Sequence, residues 1–126
     1  MRILLDTHIF VWWLASDRKL PKVADTFILD PDNEIHVSAA SVWEIAIKEA
    51  LGQIQVDPSL LVACIAESGF RELPVTARHA IETGKLPSHH RDPFERLLVA
   101  QSRVEPMYLL THDQQLTAYG ITVLLV

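Results

Sequence analysis

Short apolar runs alternate with longer segments of helical character along the chain, and this alternation most constrains the fold. The runs predicted to be strands span residues 2–5, 34–37, 70–73, 106–110 and 121–125. The segments predicted to be helices span residues 7–14, 21–29, 38–51, 57–68, 76–83, 92–103 and 113–119. Because strands that alternate with helices form a parallel sheet covered on both faces, we predict an α/β fold, a three-layer α/β/α sandwich. The apolar strands before Asp6 and before Thr111 are expected to be central.

The length and the single cysteine narrow the class of protein. A chain of 126 residues fits one domain, residues 1–126. Its only cysteine, Cys64, excludes an internal disulfide and a cysteine zinc site, and indicates a reducing compartment. The first apolar run is too short for a signal peptide, and no run approaches the ~20 residues of a membrane span. We therefore expect a cytoplasmic protein without a membrane anchor.

The charge distribution bears on nucleic-acid binding. A formal charge of −5 and a pI near 5.6 argue against a basic coat over the whole surface. Six of the eleven basic residues nevertheless lie between Arg71 and Arg103. This window is the candidate phosphate-facing region, and a solvated face of mixed charge is the alternative.

Four acidic positions follow strands or begin helices, and each has a structural explanation when it is taken alone. Asp6 and Asp113 follow predicted strands and precede helices, where a capping carboxylate stabilises by ~1 kcal/mol. Asp92-Pro93-Phe94-Glu95 is close to a capping box. Glu44 forms an i,i+4 pair with Lys48, worth only ~0.2–0.5 kcal/mol.

Taken together, these acids indicate a metal site. In open parallel sheets ligands bind beyond the carboxyl ends of the strands, and all four positions are expected at that rim. Carboxylates within ~10 Å of one another repel unless a cation neutralises them. Because oxygen ligands suit Mg²⁺ or Mn²⁺, we predict one ion or a pair of ions that promotes phosphodiester hydrolysis.

Four motifs in order carry a resemblance to a known family. They are Leu5-Asp6-Thr7, the run from Ser41 to Ala46, the run from Arg91 to Gln101, and Leu110-Thr111-His112-Asp113. The sequence resembles the PIN-domain family, most of all the VapC-type toxins of bacterial toxin–antitoxin pairs.

The resemblance implies an Mg²⁺- or Mn²⁺-dependent endoribonuclease, with RNA as its substrate and a cognate antitoxin that blocks the site. It also implies that Asp6, Glu44 and Asp113 are metal-site acids, supported by the hydroxyls of Thr7 and Thr111. We expect a homodimer.

The chain departs from the family pattern at the start of the helix that spans residues 92–103. Relatives with this opening commonly read Asp-Pro-Phe-Asp, whereas here the second acid is Glu95. Glu95 fits the register of the family's third acid, and Asp92 lies on the same helical face. Both are candidates for the third metal ligand. Asp92 is favoured slightly because its side-chain length is retained.

Three basic residues are candidates for substrate binding: Arg91, Arg96 and Lys48. The six histidines lack the spacing of a zinc motif and are expected to be structural or solvated, although His89 and His90 lie close to Asp92 in sequence. The aromatic residues Phe10, Trp12 and Trp13 of the first helix are predicted to lie in the core, in a dimer face or in an antitoxin groove.

Other functions fit less well. A phosphatase of the haloacid-dehalogenase type needs Asp-x-Asp after the first strand, where this chain reads Asp6-Thr7-His8. The receiver domain needs paired acids there as well. The four glycines are scattered, which argues against a nucleotide-binding loop. From another class, a catalytically inactive PIN-like module that acts through RNA or antitoxin binding remains an alternative.

Overall fold

Five parallel strands form one sheet in the order β3-β2-β1-β4-β5. The computed structural model describes all 126 residues, Met1–Val126. The strands are β1 (Arg2–Leu5), β2 (Glu34–Ser38), β3 (Arg71–Leu73), β4 (Tyr108–Thr111) and β5 (Val123–Leu125). The helices are α1 (Thr7–Ala15), α2 (Lys22–Leu29), α3 (Ala39–Ala50), α4 (Leu61–Glu67), α5 (Ala77–Thr83) and α6 (Pro93–Val104). Two 3₁₀ segments, Pro58–Leu60 and Gln114–Tyr119, complete the structure.

The central strand β1 supplies side chains to two separate cores, as its period of two requires. Ile3 and Leu5 face a core that also contains residues of α1, α2, α3 and α4. Leu4 faces the opposite core, which α6 and the segment Gln114–Tyr119 cover. Each fully buried aliphatic side chain stabilises the fold by roughly 1.5–3 kcal/mol. The predicted three-layer α/β/α sandwich is therefore confirmed, and the strands before Asp6 and Thr111 are central.

Two predicted helices differ in type from those observed. The predicted helix over residues 57–68 is a 3₁₀ turn followed by α4, because the Asp57 carboxylate accepts hydrogen bonds from both the amide and the hydroxyl of Ser59 and tightens the first turn. The predicted helix over residues 113–119 is the 3₁₀ segment Gln114–Tyr119.

Two strands begin later than predicted. Strand β4 begins at Tyr108, since the Met107 amide donates to the Ser102 carbonyl at 2.8 Å and belongs to the preceding loop. Strand β5 begins at Val123, and Ile121 lies outside it with 94% of its surface exposed. None of the helices combines the length and apolar character that crossing a membrane would take.

The strand order creates a gap for a ligand beside β1. The chain leaves β1 for β2 on one side of the sheet, and β4 pairs with β1 on the other side. The connections after β1 and β4 therefore diverge, and such a switch point is where open α/β sheets bind ligands. Asp6 directly follows β1, and its amide donates to the Leu110 carbonyl of β4 at 2.9 Å.

Candidate active site

Asp6 lies at this switch point, fully buried and held on both carboxylate oxygens. Its Oδ1 accepts a hydrogen bond from the Thr7 amide at 2.8 Å, and its Oδ2 accepts one from the Thr111 hydroxyl at 2.6 Å. The Thr7 hydroxyl donates to Ser41 Oγ at 2.9 Å, which ties α1 to α3. Thr111 therefore contacts Asp6 through its hydroxyl, whereas Thr7 contacts Asp6 only through its backbone amide; a supporting role for the Thr7 hydroxyl stays a prediction.

Glu44 reaches the site from the second turn of α3. One of its oxygens, Oε2, lies 2.9 Å from Lys48 Nζ. The other, Oε1, is buried without any hydrogen-bond partner. An unpartnered buried carboxylate oxygen is costly, so this atom is suited to accept a donor or to bind a cation.

The two candidate acids of α6 have different surroundings. Asp92 caps the helix, and its Oδ1 accepts from the Phe94 amide at 2.8 Å and from the Glu95 amide at 3.4 Å. The Glu95 side chain instead turns inward to the acids that follow β1 and β4. Its carboxylate lies within 4.8 Å of ligand atoms of Asp6 and His8, and equally of His90 and Asp113. Glu95 is thus the one acid common to both groups, and Asp92 belongs to neither.

Asp113 begins the segment after β4 and combines a capping role with a place in the cluster. Its Oδ1 accepts from the Gln115 amide at 2.9 Å, and its Oδ2 lies 3.0 Å from His90 Nε2. The Thr111 hydroxyl accepts from the Asp113 amide at 3.0 Å, so one threonine joins the acids of β1 and β4.

The electrostatics of this acid cluster (Asp6, Glu44, Glu95 and Asp113) show how crowded the negative charge is. Burial, the charge of Asp6 and the hydrogen bond with Asp113 raise the pKa of Glu95 from 4.5 to about 9. Burial likewise raises the pKa of Asp6, against the opposing effects of His8 and Thr111.

Two further groups respond to the cluster. The hydrogen bond with Glu44 raises the pKa of Lys48, so this lysine stays charged beside the acids. Burial would raise the pKa of Asp113, but the Gln115 amide and the contacts with Glu95 and His90 outweigh it and lower that pKa.

The predicted basic residues do not share one role. Lys48 lies at the cluster, and Arg91 is exposed on the loop directly before Asp92. Arg96 donates to the carbonyls of Thr83 and Pro87 at 2.9 and 3.1 Å, and its guanidinium is therefore engaged within the protein. Its contact with substrate stays a prediction.

Arg103 is exposed, yet its guanidinium contacts the protein itself. It donates to the Tyr119 carbonyl at 2.9 Å and lies over the Tyr119 ring. Two of the six basic residues of the window Arg71–Arg103 are therefore engaged internally.

Two histidines that the sequence indicated only as structural or solvated lie in the cluster. His8 Nε2 is 3.5 Å from Asp6 Oδ2, and His90 Nε2 is 2.6 Å from Glu95 Oε2. Their closeness to Asp6 and Asp92 in sequence was the available signal, but the direction of each ring depends on the tertiary structure.

The aromatic residues of α1 divide between core and rim. Phe10 is fully buried, as the core prediction requires, while Trp12 and Trp13 pack partly buried against the same core. Trp12 also contacts the rings of His8 and His112 edge to face, beside the acid cluster.

Comparisons with known proteins agree with this geometry. The family model of the PIN domain matches residues 3–121. Ribonuclease VapC22 of Mycobacterium tuberculosis is 31% identical over 120 residues, which cover 93% of this chain and 91% of that protein.

Solved structures share the fold at lower identity. A chain of VapBC2 from Rickettsia felis bound to a DNA fragment from their promoter has a TM-score of 0.71 at 16% identity, covering 100% of this chain and 98% of that chain. FitAcB from Neisseria gonorrhoeae has a TM-score of 0.65 at 19% identity, with coverage of 96% and 95%. A toxin-antitoxin complex from Klebsiella pneumoniae has a TM-score of 0.65 at 18% identity, with coverage of 97% and 95%. By its match over residues 3–121 and its identity to a relative of almost equal length, the chain belongs to the PIN-domain family.

Proposed function

We propose that this protein is an Mg²⁺- or Mn²⁺-dependent endoribonuclease and the toxin of a toxin–antitoxin pair. The observation that carries the proposal is the convergence of Asp6, Glu95 and Asp113 at the switch point between β1 and β4. A relative 31% identical over nearly the whole chain is named a ribonuclease, which supports RNA as the substrate.

The residues present fit a divalent cation. Their ligand atoms are carboxylate oxygens, which Mg²⁺ and Mn²⁺ prefer. Glu44 Oε1 is buried without a partner, and the pKa values of Asp6 and Glu95 are raised first by burial and further by neighbouring acids. Lys48 alone supplies a fixed positive charge at Glu44, so a bound dication would complete the neutralisation.

We assign the third acidic ligand to Glu95 and leave Asp92 as the helix cap. Asp92 Oδ1 is already committed to two backbone amides of α6, whereas Glu95 reaches the ligand atoms of both neighbouring groups. The extra methylene of Glu95 extends the carboxylate inward from the helix. Asp6, Glu95 and Asp113 are then the proposed ligands, with Glu44 as the fourth acid.

In hydrolysis the oxygen of a water molecule bonds to phosphorus, one ribose oxygen leaves, and a proton of the water passes to that leaving oxygen. A bound Mg²⁺ or Mn²⁺ would lower the pKa of the attacking water and would neutralise charge on the phosphate oxygens. The protein residues place the groups: Thr111 and the Thr7 amide fix both oxygens of Asp6, so its orientation is set before substrate arrives. Lys48 and the exposed Arg91 are the proposed contacts to RNA phosphates, while Arg96 acts through the loop that it braces.

The proposed partners are a cognate antitoxin and a second copy of the chain, in the cytoplasm. Solved neighbours of the same fold include one described as a toxin-antitoxin complex. Helix α3 also presents Trp43 and Ile47, and Leu51 just beyond its end continues their spacing of four residues; 62% of Trp43 is exposed. Such an apolar line beside a site suits a protein partner. Light scattering of the purified chain, alone and with the product of any adjacent small gene, tests both partners.

The test of activity compares single charge removals. Purified protein should cleave RNA with Mn²⁺ or Mg²⁺, and a chelator or Asp6→Asn should abolish cleavage. Glu95→Gln should reduce cleavage by about 10²-fold or more, whereas Asp92→Asn, which keeps a good helix cap, should reduce it by less than about tenfold. Cleavage that persists in Asp6→Asn would contradict the proposal. RNA binding without turnover would favour the inactive binding module instead.

A further inference from the structure

His90 stands between two acids of the cluster in a position that neither the family match nor the proposed ligand set explains. It belongs to the loop between α5 and α6 (residues 84–92), and its side chain is largely buried. Its Nε2 hydrogen-bonds to Asp113 Oδ2 at 3.0 Å and lies 2.6 Å from Glu95 Oε2. One ring nitrogen therefore contacts both acids.

The other ring nitrogen determines what Nε2 can do. His90 Nδ1 accepts a hydrogen bond from the Asp92 amide at 3.0 Å, so it presents a lone pair and carries no proton. A neutral imidazole in this tautomer has its proton on Nε2. Nε2 then donates to Asp113 Oδ2 and lies against Glu95 Oε2, which has no hydrogen-bond partner of its own. It has no lone pair with which to bind a cation.

The loop that carries His90 is braced by hydrogen bonds with Tyr119 and Arg96, most of them part-buried. The Tyr119 hydroxyl accepts from the His90 amide at 3.1 Å and donates to the Pro87 carbonyl at 3.1 Å. Arg96 donates to the carbonyls of Thr83 and Pro87 and to the Tyr119 hydroxyl, at 2.9, 3.1 and 3.3 Å. These bonds fix the backbone position of His90, and the Asp92 amide fixes its tautomer.

We propose that His90 is a positioning residue for the divalent-cation site: it orients Glu95 and Asp113 and does not bind the ion. The inference rests on the proposed metal dependence. Glu95 has three rotatable side-chain bonds, so an unheld carboxylate would lose rotamer freedom each time an ion bound. The His90 ring, hydrogen-bonded to Asp113 and in contact with Glu95 Oε2, limits that freedom before the ion binds, as outer-shell partners of ligating groups do.

Calorimetric titration with Mn²⁺ alone tests the role of the ring. His90→Ala should weaken Mn²⁺ binding by about 10- to 100-fold, the usual effect of removing an outer-shell partner. His90→Gln, whose amide N–H can replace Nε2–H, should recover most of that affinity. Ser88→Ala, on the exposed part of the same loop, is the matched control and should bind as the wild type does. Equal Mn²⁺ affinity in wild type and His90→Ala would overturn the inference.

Tyr119→Phe tests the brace without touching the ring of His90. It keeps the buried aromatic ring and removes only the hydroxyl, so it should fold and should weaken Mn²⁺ binding by a smaller factor, on the order of fivefold. Thermal unfolding in chelator checks that each variant is folded. If His90→Ala does not fold, an unchanged Mn²⁺ affinity in a folded Tyr119→Phe would still refute the brace.

Long-range ¹⁵N NMR of the histidine rings tests the tautomer with Mg²⁺, which is diamagnetic. The expected result is a protonated Nε2 and an unprotonated Nδ1 in His90, both before and after Mg²⁺ is added. Loss of the Nε2 proton on addition would show that His90 is a ligand and would overturn the proposal. A wild-type protein that binds neither ion would instead refute the proposed metal dependence, which separates the two failures.

Discussion

Binding of a divalent cation should release a proton from Glu95. The pKa of this carboxyl is raised to about 9 by burial and by the charges of Asp6 and Asp113. A cation that Glu95 binds must meet the ionised form, so the proton has to leave when the ion enters. At neutral pH part of the free energy of metal binding is therefore used to ionise Glu95, and the apparent affinity for the ion is lower.

The magnitude follows from the distance between the pKa and the pH of the assay. With a pKa of about 9, roughly one metal-free molecule in a hundred carries an ionised Glu95 at about pH 7. Apparent Mn²⁺ affinity should then rise about tenfold per pH unit, or about 100-fold between about pH 6 and about pH 8. The raised pKa of Asp6 acts in the same direction.

Titration calorimetry in buffers of different ionisation enthalpy measures the proton directly. The dependence of the binding heat on buffer enthalpy should give close to one proton released at about pH 7. In Glu95→Gln binding should be weaker, and the proton release should fall towards zero. Asp92→Asn is the control and should keep both the proton release and the pH dependence. A wild-type affinity that stays flat over this range, or an unchanged proton count in Glu95→Gln, would refute the reasoning.

Three further predictions concern stability. Thr111→Val should destabilise the protein by about 1–3 kcal/mol in urea unfolding, because Asp6 loses a buried hydrogen bond, and Thr111→Ser should lose less; equal losses would contradict a role for the hydroxyl. Gly69→Ala should cost about 1–2 kcal/mol, since its φ is +77° and no atom lies within 4 Å of the added Cβ. Gly84→Ala, at a φ of −69°, should be neutral or slightly stabilising, and a matching loss at both glycines would exclude the backbone explanation. In chelator, the raised pKa of Glu95 means that the contribution of this group to stability is full below about pH 4.5 and declines as the pH rises towards about 9, by less than the ~1.4 kcal/mol per unit of an unscreened group. Glu95→Gln should flatten the decline in urea midpoint between about pH 6 and about pH 8, and a slope unchanged by this substitution would contradict the assignment.

The order of elements was accessible from the sequence because it follows from local chemistry. Ile3, Leu4 and Leu5 form a run that can be buried on both faces, and Asp6 marks where it ends. Once the sheet is parallel, the positions of Asp6 and Asp113 beyond neighbouring strands follow from topology. The acids at the switch point could therefore be named before any distance was known.

Side-chain direction was not accessible in the same way. The capping-box pattern indicated Asp92 as the helix cap, but sequence register could not tell which of Asp92 and Glu95 turns inward to the acid cluster. The difference arises from the Asp92 contacts with two amides and from the longer reach of Glu95. Similarly, Arg96 is engaged by carbonyls of a loop whose path depends on Tyr119, distant in sequence.

The hydrogen bond between Thr111 and Asp6 joins residues 105 positions apart and has a consequence for synthesis on the ribosome. At ~5–20 residues per second, β4 emerges many seconds after β1. Until then the Leu110 carbonyl, which accepts a hydrogen bond from the Asp6 amide, has not been made, and neither has Asp113. A nascent chain therefore carries no complete acid cluster before Asp113 has been made. Products truncated before Thr111 should be inert, and the ribosome that makes the protein is not exposed to a nuclease before that point.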